Sequence, residues 1–339
     1  RTTDECRWFF MIKMSNVLNF AVLGNGFMGK KHIEIIKSLD TVRLSAVIDH
    51  HWQEDSQDSF LAYPQLETFL EQDTDTDVVV IATPNYLHFE QARELLQNGY
   101  HVIIEKPFCM SVEEAETLEK VSQKSGKSVF MIMQNRYAPI SVWLKNLVVS
   151  GILGDIYLVQ TNCFWNRNEN YYLPKSWKGS KSMDGGTLFT QFTHFADLIF
   201  WIFGDIENVH SRLKTLRHKN LIEIEDTGIA TFDFVKGGMG SISFTTAAYE
   251  KNLESSMTIV SEHGNIKISG QYFDRVEVCH IKDYLLDPTI ITVPDNLENL
   301  RQEYHTVTEV LSQGKPSDIS FQEGKKLIAF LESAYRTCL

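Results

Sequence analysis

The sequence predicts an α/β chain in two parts: an N-terminal doubly wound parallel sheet, followed by a C-terminal α+β unit with a largely antiparallel sheet. Three observations predict it. Residues 78–81 and 102–104 are unbroken Val/Ile runs, the pattern of strands buried on both faces of a parallel sheet. Amphipathic helical patterns lie between such runs, as in βαβ units. Beyond about residue 134 the rhythm changes to short strands separated by Gly- and Asn-containing turns, which suits antiparallel pairing.

The elements follow in order. Residues 19–23 form a short apolar strand and 28–39 a helix by period. Residues 42–48 and 77–81 are the next strands, 86–98 a helix ended by Gly99, and 101–104 a strand. Residues 112–125 read as a helix stopped by Gly126, and 128–133 as the last strand of this half. In the second half a helix over 140–149 leads to a strand over 156–161 and a strongly apolar helix over 188–203. Strands at 228–234, 240–246, 256–260 and 265–268 precede two closing helices, 299–311 and 322–335. The expected division is a poorly ordered leader over 1–18, a dinucleotide-binding unit over 19–134 and an α+β substrate and oligomerisation unit over 135–339. Met11 and Met14 are alternative starts within that leader, which lacks the long apolar run and cleavage site of a signal peptide.

A length of 339 residues exceeds one ordinary core, and 43% hydrophobic with 22% charged residues is a globular balance. The net charge of -12 argues against a nucleic-acid partner, although a site can be locally positive inside an acidic chain. The five scattered cysteines never form C-x-x-C, which argues against a disulfide framework and structural zinc and makes a reducing cytoplasm the default. No apolar run is long enough for a membrane span.

Gly24-Asn25-Gly26-Phe27-Met28-Gly29 is G-x-G-x-x-G placed directly after a strand and opening a helix. The glycines serve a tight turn, close backbone approach to a pyrophosphate, and close helix–strand packing. The unpaired N–H groups of the helix N-terminus then favour an anion. The second strand ends at Asp49, where a carboxylate accepts hydrogen bonds from a ribose diol and repels a 2′-phosphate. The cofactor expected of this Rossmann unit is therefore NAD rather than NADP.

Ligands of such sheets sit beyond the carboxyl ends of the strands. Two segments there carry polar chemistry: Thr83-Pro84-Asn85 with His88, and Glu105-Lys106-Pro107. An ammonium at Lys106 can polarise a hydroxyl or carbonyl oxygen, although a lysine before a proline is by itself an ordinary loop residue. Farther on, Asp184-Gly185-Gly186 precedes a helix whose spacing places Thr190, His194 and Asp197 on one face. A histidine among so many apolar neighbours is by default a core residue; facing a cavity, it suits proton transfer. The loop over 165–181 carries Arg167, Lys175, Lys178 and Lys181 against Glu169, interleaved with Tyr171, Tyr172 and Trp177. It reads either as a solvated loop or as a docking surface for a phosphate-bearing ligand.

Together these motifs resemble the glucose–fructose oxidoreductase / inositol dehydrogenase (Gfo/Idh/MocA) family. The segment 171–179 resembles the branch acting on UDP-N-acetylglucosamine-type sugars in lipopolysaccharide and other surface-polysaccharide synthesis. The resemblance implies an NAD-dependent dehydrogenase that oxidises a sugar hydroxyl, at C3, by hydride transfer. It implies Lys106 and His194 as catalytic groups, and Gly24, Asn25, Gly26, Phe27, Met28, Gly29, Asp49, Thr83, Pro84, Asn85, His88, Glu105 and Lys106 around the cofactor. For the substrate it implies Lys106, Arg136, Arg167, Tyr172, Trp177, Lys178, Thr190 and His194. Many relatives carry a carboxylate four residues before the histidine; Thr190 stands there in this chain. The implied partners are a sugar or nucleotide sugar and further copies of the chain, as a dimer or tetramer, with no metal, nucleic acid or membrane. Two rivals are a dehydrogenase of free inositol or monosaccharides, which needs no cationic loop, and a dinucleotide-sensing regulator, which needs neither Lys106 nor His194.

Overall fold

The computed structural model describes residues 17–51, 60–73, 75–173, 177–317 except 291–296, and 319–337. Most of the expected leader, and Pro174, Lys175 and Ser176 of the cationic loop, lie outside the described residues.

The first half alternates strand and helix: β1 (Leu18–Leu23), α1 (Phe27–Ser38), β2 (Val42–Ile48), β3 (Leu61–Tyr63), α2 (Leu66–Gln72), β4 (Val78–Ile81), α3 (His88–Gln97), β5 (His101–Ile104), α4 (Val112–Ser125) and β6 (Val129–Met131). All six strands pair in parallel in the order β3-β2-β1-β4-β5-β6. The order reverses direction between β1 and β4, so the segments after these two strands flank the crevice where such sheets bind ligands. Phe20, Val22, Val78 and Val80 lie fully buried under one set of helices, and Ala21, Val79 and Ile81 under the other.

A 3₁₀ turn over Gln134–Tyr137 and helix α5 (Pro139–Ser150) lead into the second half. It comprises β7 (Ile156–Phe164), α6 (Glu169–Tyr172), α7 (Lys181–Asp184), α8 (Thr187–Thr190), α9 (Thr193–Phe203), β8 (Ile206–Lys214), β9 (Thr227–Phe234), β10 (Met239–Thr245), β11 (Glu254–Ser261), β12 (Gly264–Ser269) and β13 (Arg275–Ile281). These strands form one seven-stranded sheet, β13-β12-β11-β7-β10-β9-β8, antiparallel except where β10 runs parallel to β7. Alternate residues such as Val159, Cys163, Phe232, Phe244 and Ile259 are buried against the helices.

Two helices close the chain. Helix α11 (Phe321–Arg336) starts with a capping box between Ser320 and Glu323, and Ile328, Phe330 and Leu331 join the larger core. Helix α10 (Glu298–Gln313) instead lays Leu300, Tyr304 and Val307 against Phe20, Val22, Phe130 and Ile132 of the first sheet. The chain thus returns to the parallel sheet before it ends.

One expected helix is broken. Residues 188–203 do not form a continuous element: α8 stops at Thr190, and α9 begins at Thr193. The Thr193 hydroxyl bonds back to the carbonyls of Leu188 and Phe189, which competes with the helical ladder at this joint. Thr190 therefore sits at the end of a different helix from His194 and Asp197, rather than one turn before them on a shared face.

Candidate active site

The glycine loop is built from close contacts. Gly24 adopts φ +95°, and a Cβ there would lie 2.9 Å from the Ala82 carbonyl oxygen after β4. A Cβ on Gly29 would lie 1.8 Å from the Gly24 carbonyl oxygen, so α1 can approach β1 only with glycine there. Gly26 is different: a Cβ would meet no protein atom within 4 Å. The first turn of α1 has no side-chain cap and no acidic residue, so its N–H groups and the helix dipole face outward. Asn25 Oδ1 is buried without a partner. Asp49 accepts the Asn25 amide at 2.6 Å and the His51 amide at 2.8 Å, which pins its carboxylate beside the loop with lone pairs to spare. These residues fit a dinucleotide: backbone amides for the diphosphate, and Asp49 for a ribose. Phe27 is exposed at the head of the helix, with Lys31 over its ring, and Met28 packs toward the sheet core.

Two further segments meet beyond β4 and β5. The His88 ring bridges them, with Nδ1 2.8 Å from the Pro107 carbonyl oxygen and Nε2 2.8 Å from that of Thr83. Thr83 also donates to Gln91, and Pro84 leads into the 3₁₀ turn Asn85–Leu87. Glu105 is buried, and burial alone would push its carboxyl up. The His32 hydrogen bond at 3.0 Å and the nearby Lys106 charge outweigh that and bring it down to about 2. His32 in turn meets the Tyr304 hydroxyl at 2.8 Å, so α1 and α10 together brace Glu105. Sequence reasoning missed both His32 and Tyr304. His32 lies on the glycine-loop helix, but Tyr304 comes from 272 residues away, and no local pattern announces that contact.

Lys106 follows β5 and reaches the second half, where its ammonium donates to the main-chain carbonyl of Thr190. Burial lowers its pKa, Glu105 and Asp184 oppose that, and Arg167 adds to it. Asn85 Nδ2 donates to the Asp184 carbonyl at 2.9 Å and to the Thr190 hydroxyl at 3.1 Å, tying the first sheet to α7 and α8. His194 is only 8% exposed, and its Nδ1 is buried without a partner. Burial, reinforced by the Lys106 charge, brings its pKa down to about 3, so the imidazole is neutral at ordinary pH. Lys106 and His194 thus share one electrostatic environment despite lying 88 positions apart.

Gly185 and Gly186 take φ of +86° and +128° between α7 and α8. A Cβ on Gly186 would lie 2.1 Å from the Tyr335 hydroxyl, which donates to Glu225 at 2.6 Å. Burial raises Glu225 to about 7, and its carboxyl also accepts the Thr187 amide at 2.8 Å. This buried knot fixes the position of Thr190.

The cationic loop is ordered by aromatic rings. The Arg167 guanidinium lies 4.9 Å from the Trp165 ring and 5.3 Å from that of Tyr171, and Lys178 Nζ lies 4.2 Å from the same Tyr171 ring. Arg167 also donates to Gln191 at 2.7 Å, and Gln191 donates to the Tyr171 hydroxyl at 2.6 Å. Tyr172, expected to offer its ring, does not: it is 4% exposed, packed on Tyr171 and His218, with its hydroxyl on Thr246. The adjacent Tyr171 points in a different direction from the short helix α6 and meets Arg167 and Lys178 with its ring. Trp177 is half-buried next to Lys178.

Arg136, a substrate residue by the resemblance, is held by carboxylates of the second half. It is buried and forks onto Asp197 at 2.6 and 2.8 Å, with Glu323 at 3.3 Å as a second acceptor. Three of its N–H groups serve this clamp between the 134–137 turn, α9 and α11, and breaking such a buried pair typically costs about 3–5 kcal/mol.

Residues 18–133 match the GFO_IDH_MocA model, described as an oxidoreductase family with an NAD-binding Rossmann fold, and residues 142–267 match the GFO/IDH/MocA C-terminal domain. Among solved structures, the chain is similar to the WlbA dehydrogenase of Bordetella pertussis in complex with NADH and UDP-GlcNAcA, with TM-score 0.83 and 28% identity over 94% of this chain and 95% of that one. The Chromobacterium violaceum WlbA dehydrogenase, in the same kind of complex, gives 0.82 and 28% over 94% and 93%. Among curated relatives, the NADP⁺-dependent scyllo-inositol 2-dehydrogenase IolW of Bacillus subtilis is 27% identical over 198 residues, 56% of this chain and 52% of that protein. The first curated relatives align over 52–68% of their own lengths. No helix among the described residues is long and apolar enough to cross a membrane.

Proposed function

The chain belongs to the Gfo/Idh/MocA family of NAD-binding oxidoreductases, and from that premise we propose that it oxidises the C3 hydroxyl of a UDP-N-acetylhexosamine or its uronate. The reaction would be a step of lipopolysaccharide or other surface-polysaccharide synthesis. The observation that carries this reading is Lys106, whose charge acts on the neutral His194 and which itself feels Arg167, the guanidinium that shares the Tyr171 ring with Lys178.

NAD⁺, when bound along the glycine loop, supplies the hydride acceptor. The protein's part is binding, orientation and proton handling. The Lys106 ammonium donates a hydrogen bond to the reacting hydroxyl oxygen and stabilises the charge that develops as its proton leaves. His194 receives that proton, since its neutral imidazole keeps a ring-nitrogen lone pair. Thr190 presents no base at neutral pH. Arg167 and Lys178 supply positive charge for a diphosphate, and Tyr171 and Trp177 supply aromatic surface beside it.

The neutral-sugar alternative is favoured by the likeness to the inositol dehydrogenase. A thermal-shift screen of UDP-sugars and free polyols with NAD⁺ present separates the two. The proposal expects stabilisation by a UDP-N-acetylhexosamine or its uronate; stabilisation by free polyols alone would contradict it.

We further propose a dimer or tetramer assembled through the outer face of the seven-stranded sheet. Leu158, Ile229 and Met239 are exposed there among Ser and Thr side chains. Light scattering on the purified protein tests this: a monomer at micromolar concentration would contradict it.

A further inference from the structure

Threonine at position 190 leaves no ionisable group four residues before His194, yet a carboxylate reaches the same point by another route. Asp184, at the end of α7, is 1% exposed. Its Oδ1 accepts the Thr190 hydroxyl, Oδ2 accepts the Gly179 amide at 2.7 Å, and its carbonyl oxygen accepts Asn85 Nδ2 at 2.9 Å. The main-chain carbonyl of the same Thr190 receives the Lys106 ammonium. Asp184 and Lys106 therefore meet on one residue, Thr190, and Asp184 also holds Gly179, next to Lys178.

We propose that Asp184 is the positioning carboxylate of Lys106 in this chain, acting through Thr190 to keep the ammonium charged and aimed, and through Gly179 to fix the cationic loop to the same point. The charges around Lys106 are those of Glu105, Asp184 and Arg167, with His194 neutral beside them. Glu105 is already engaged by His32 and by the Lys106 amide. Asp184 is the second negative charge that offsets the burial of the ammonium and the repulsion by Arg167. Its own carboxyl is pushed up by burial and held back by Thr190, Gly179, Gly186 and Lys106, as a carboxylate bound to these donors should be.

This inference rests on the reading of Lys106 as the group that meets the hydroxyl, so its test uses no substrate. Cyanate carbamylates only the uncharged amine, and peptide mass spectrometry reports the rate at Lys106 as a function of pH, with exposed Lys120 as internal control. Asp184→Asn should speed carbamylation of Lys106 roughly three- to tenfold near neutral pH and shift its pH profile downward, while Lys120 is unchanged and NADH still binds. Asp184→Asn with Thr190→Asp, which returns a carboxylate to the same place, should restore the slow rate. An unchanged Lys106 rate in folded Asp184→Asn would overturn the proposal, as would failure of the double variant to slow it. Should the Asn variant not fold, Asp184→Ser, which removes the charge and leaves room for a water on Gly179, makes the same comparison. Failure of the substrate assignment would leave these rates untouched.

Discussion

The Asp49 carboxylate accepts the Asn25 amide at 2.6 Å, so the residue proposed to meet the cofactor's ribose also braces the loop proposed to meet its diphosphate. The two duties predict a coupled effect. NAD(H) should bind far more tightly than NADP(H) in calorimetry. Asp49→Ser should narrow that gap by removing repulsion of a 2′-phosphate, and should weaken NADH by roughly tenfold as one charged hydrogen bond to the loop is lost. Tighter NADP(H) binding by the unaltered protein would contradict the account.

Lys106→Ala and His194→Ala should each lower turnover by a factor on the order of 10² or more, with NADH affinity and circular dichroism kept. A His194 variant with full turnover would return that residue to a packing role.

His194 also predicts acid sensitivity. Its pKa is about 3 in the fold against 6.5 in the open chain, chiefly through burial. The unfolded state therefore binds more protons between these values, and the contribution to stability is complete above pH 6.5 and falls as pH drops toward 3. His194→Gln should flatten the decline of Tm over that window by several degrees relative to the parent protein. A parallel decline in both would contradict a buried neutral imidazole.

Lys178→Ala should raise the KM for a UDP-sugar about ten- to a hundredfold, since charge-assisted phosphate contacts are worth roughly 1.5–3 kcal/mol each. Its effect on a free sugar should be small. Equal losses on both substrates would mean that the loop only supports the fold.

The sequence made the parallel half legible because its signals are local: continuous Val/Ile runs, glycines at fixed offsets, and Asp49 at a strand end. Short β3, and β8 and β13 with their exposed polar residues, lack that signature and were not anticipated. Lys106 and His194 were legible as residue types in context. What holds them was not: Tyr304 on His32, Tyr335 beneath Gly186 and Glu323 on Arg136 are long-range contacts with no periodicity to reveal them. The partners of Arg136 and Tyr172 were illegible for the same reason, since tertiary packing fixes them.

The central claim is hydride transfer from C3 of a nucleotide sugar, and an isotopic label tests it directly. Purified protein is given NAD⁺ and UDP-N-acetylglucosaminuronate carrying deuterium at C3, and the NADH formed is analysed by mass spectrometry. The account predicts one deuterium in each NADH and a 3-keto sugar nucleotide as product. Unlabelled NADH, or NADH formed only from free polyols, would contradict it.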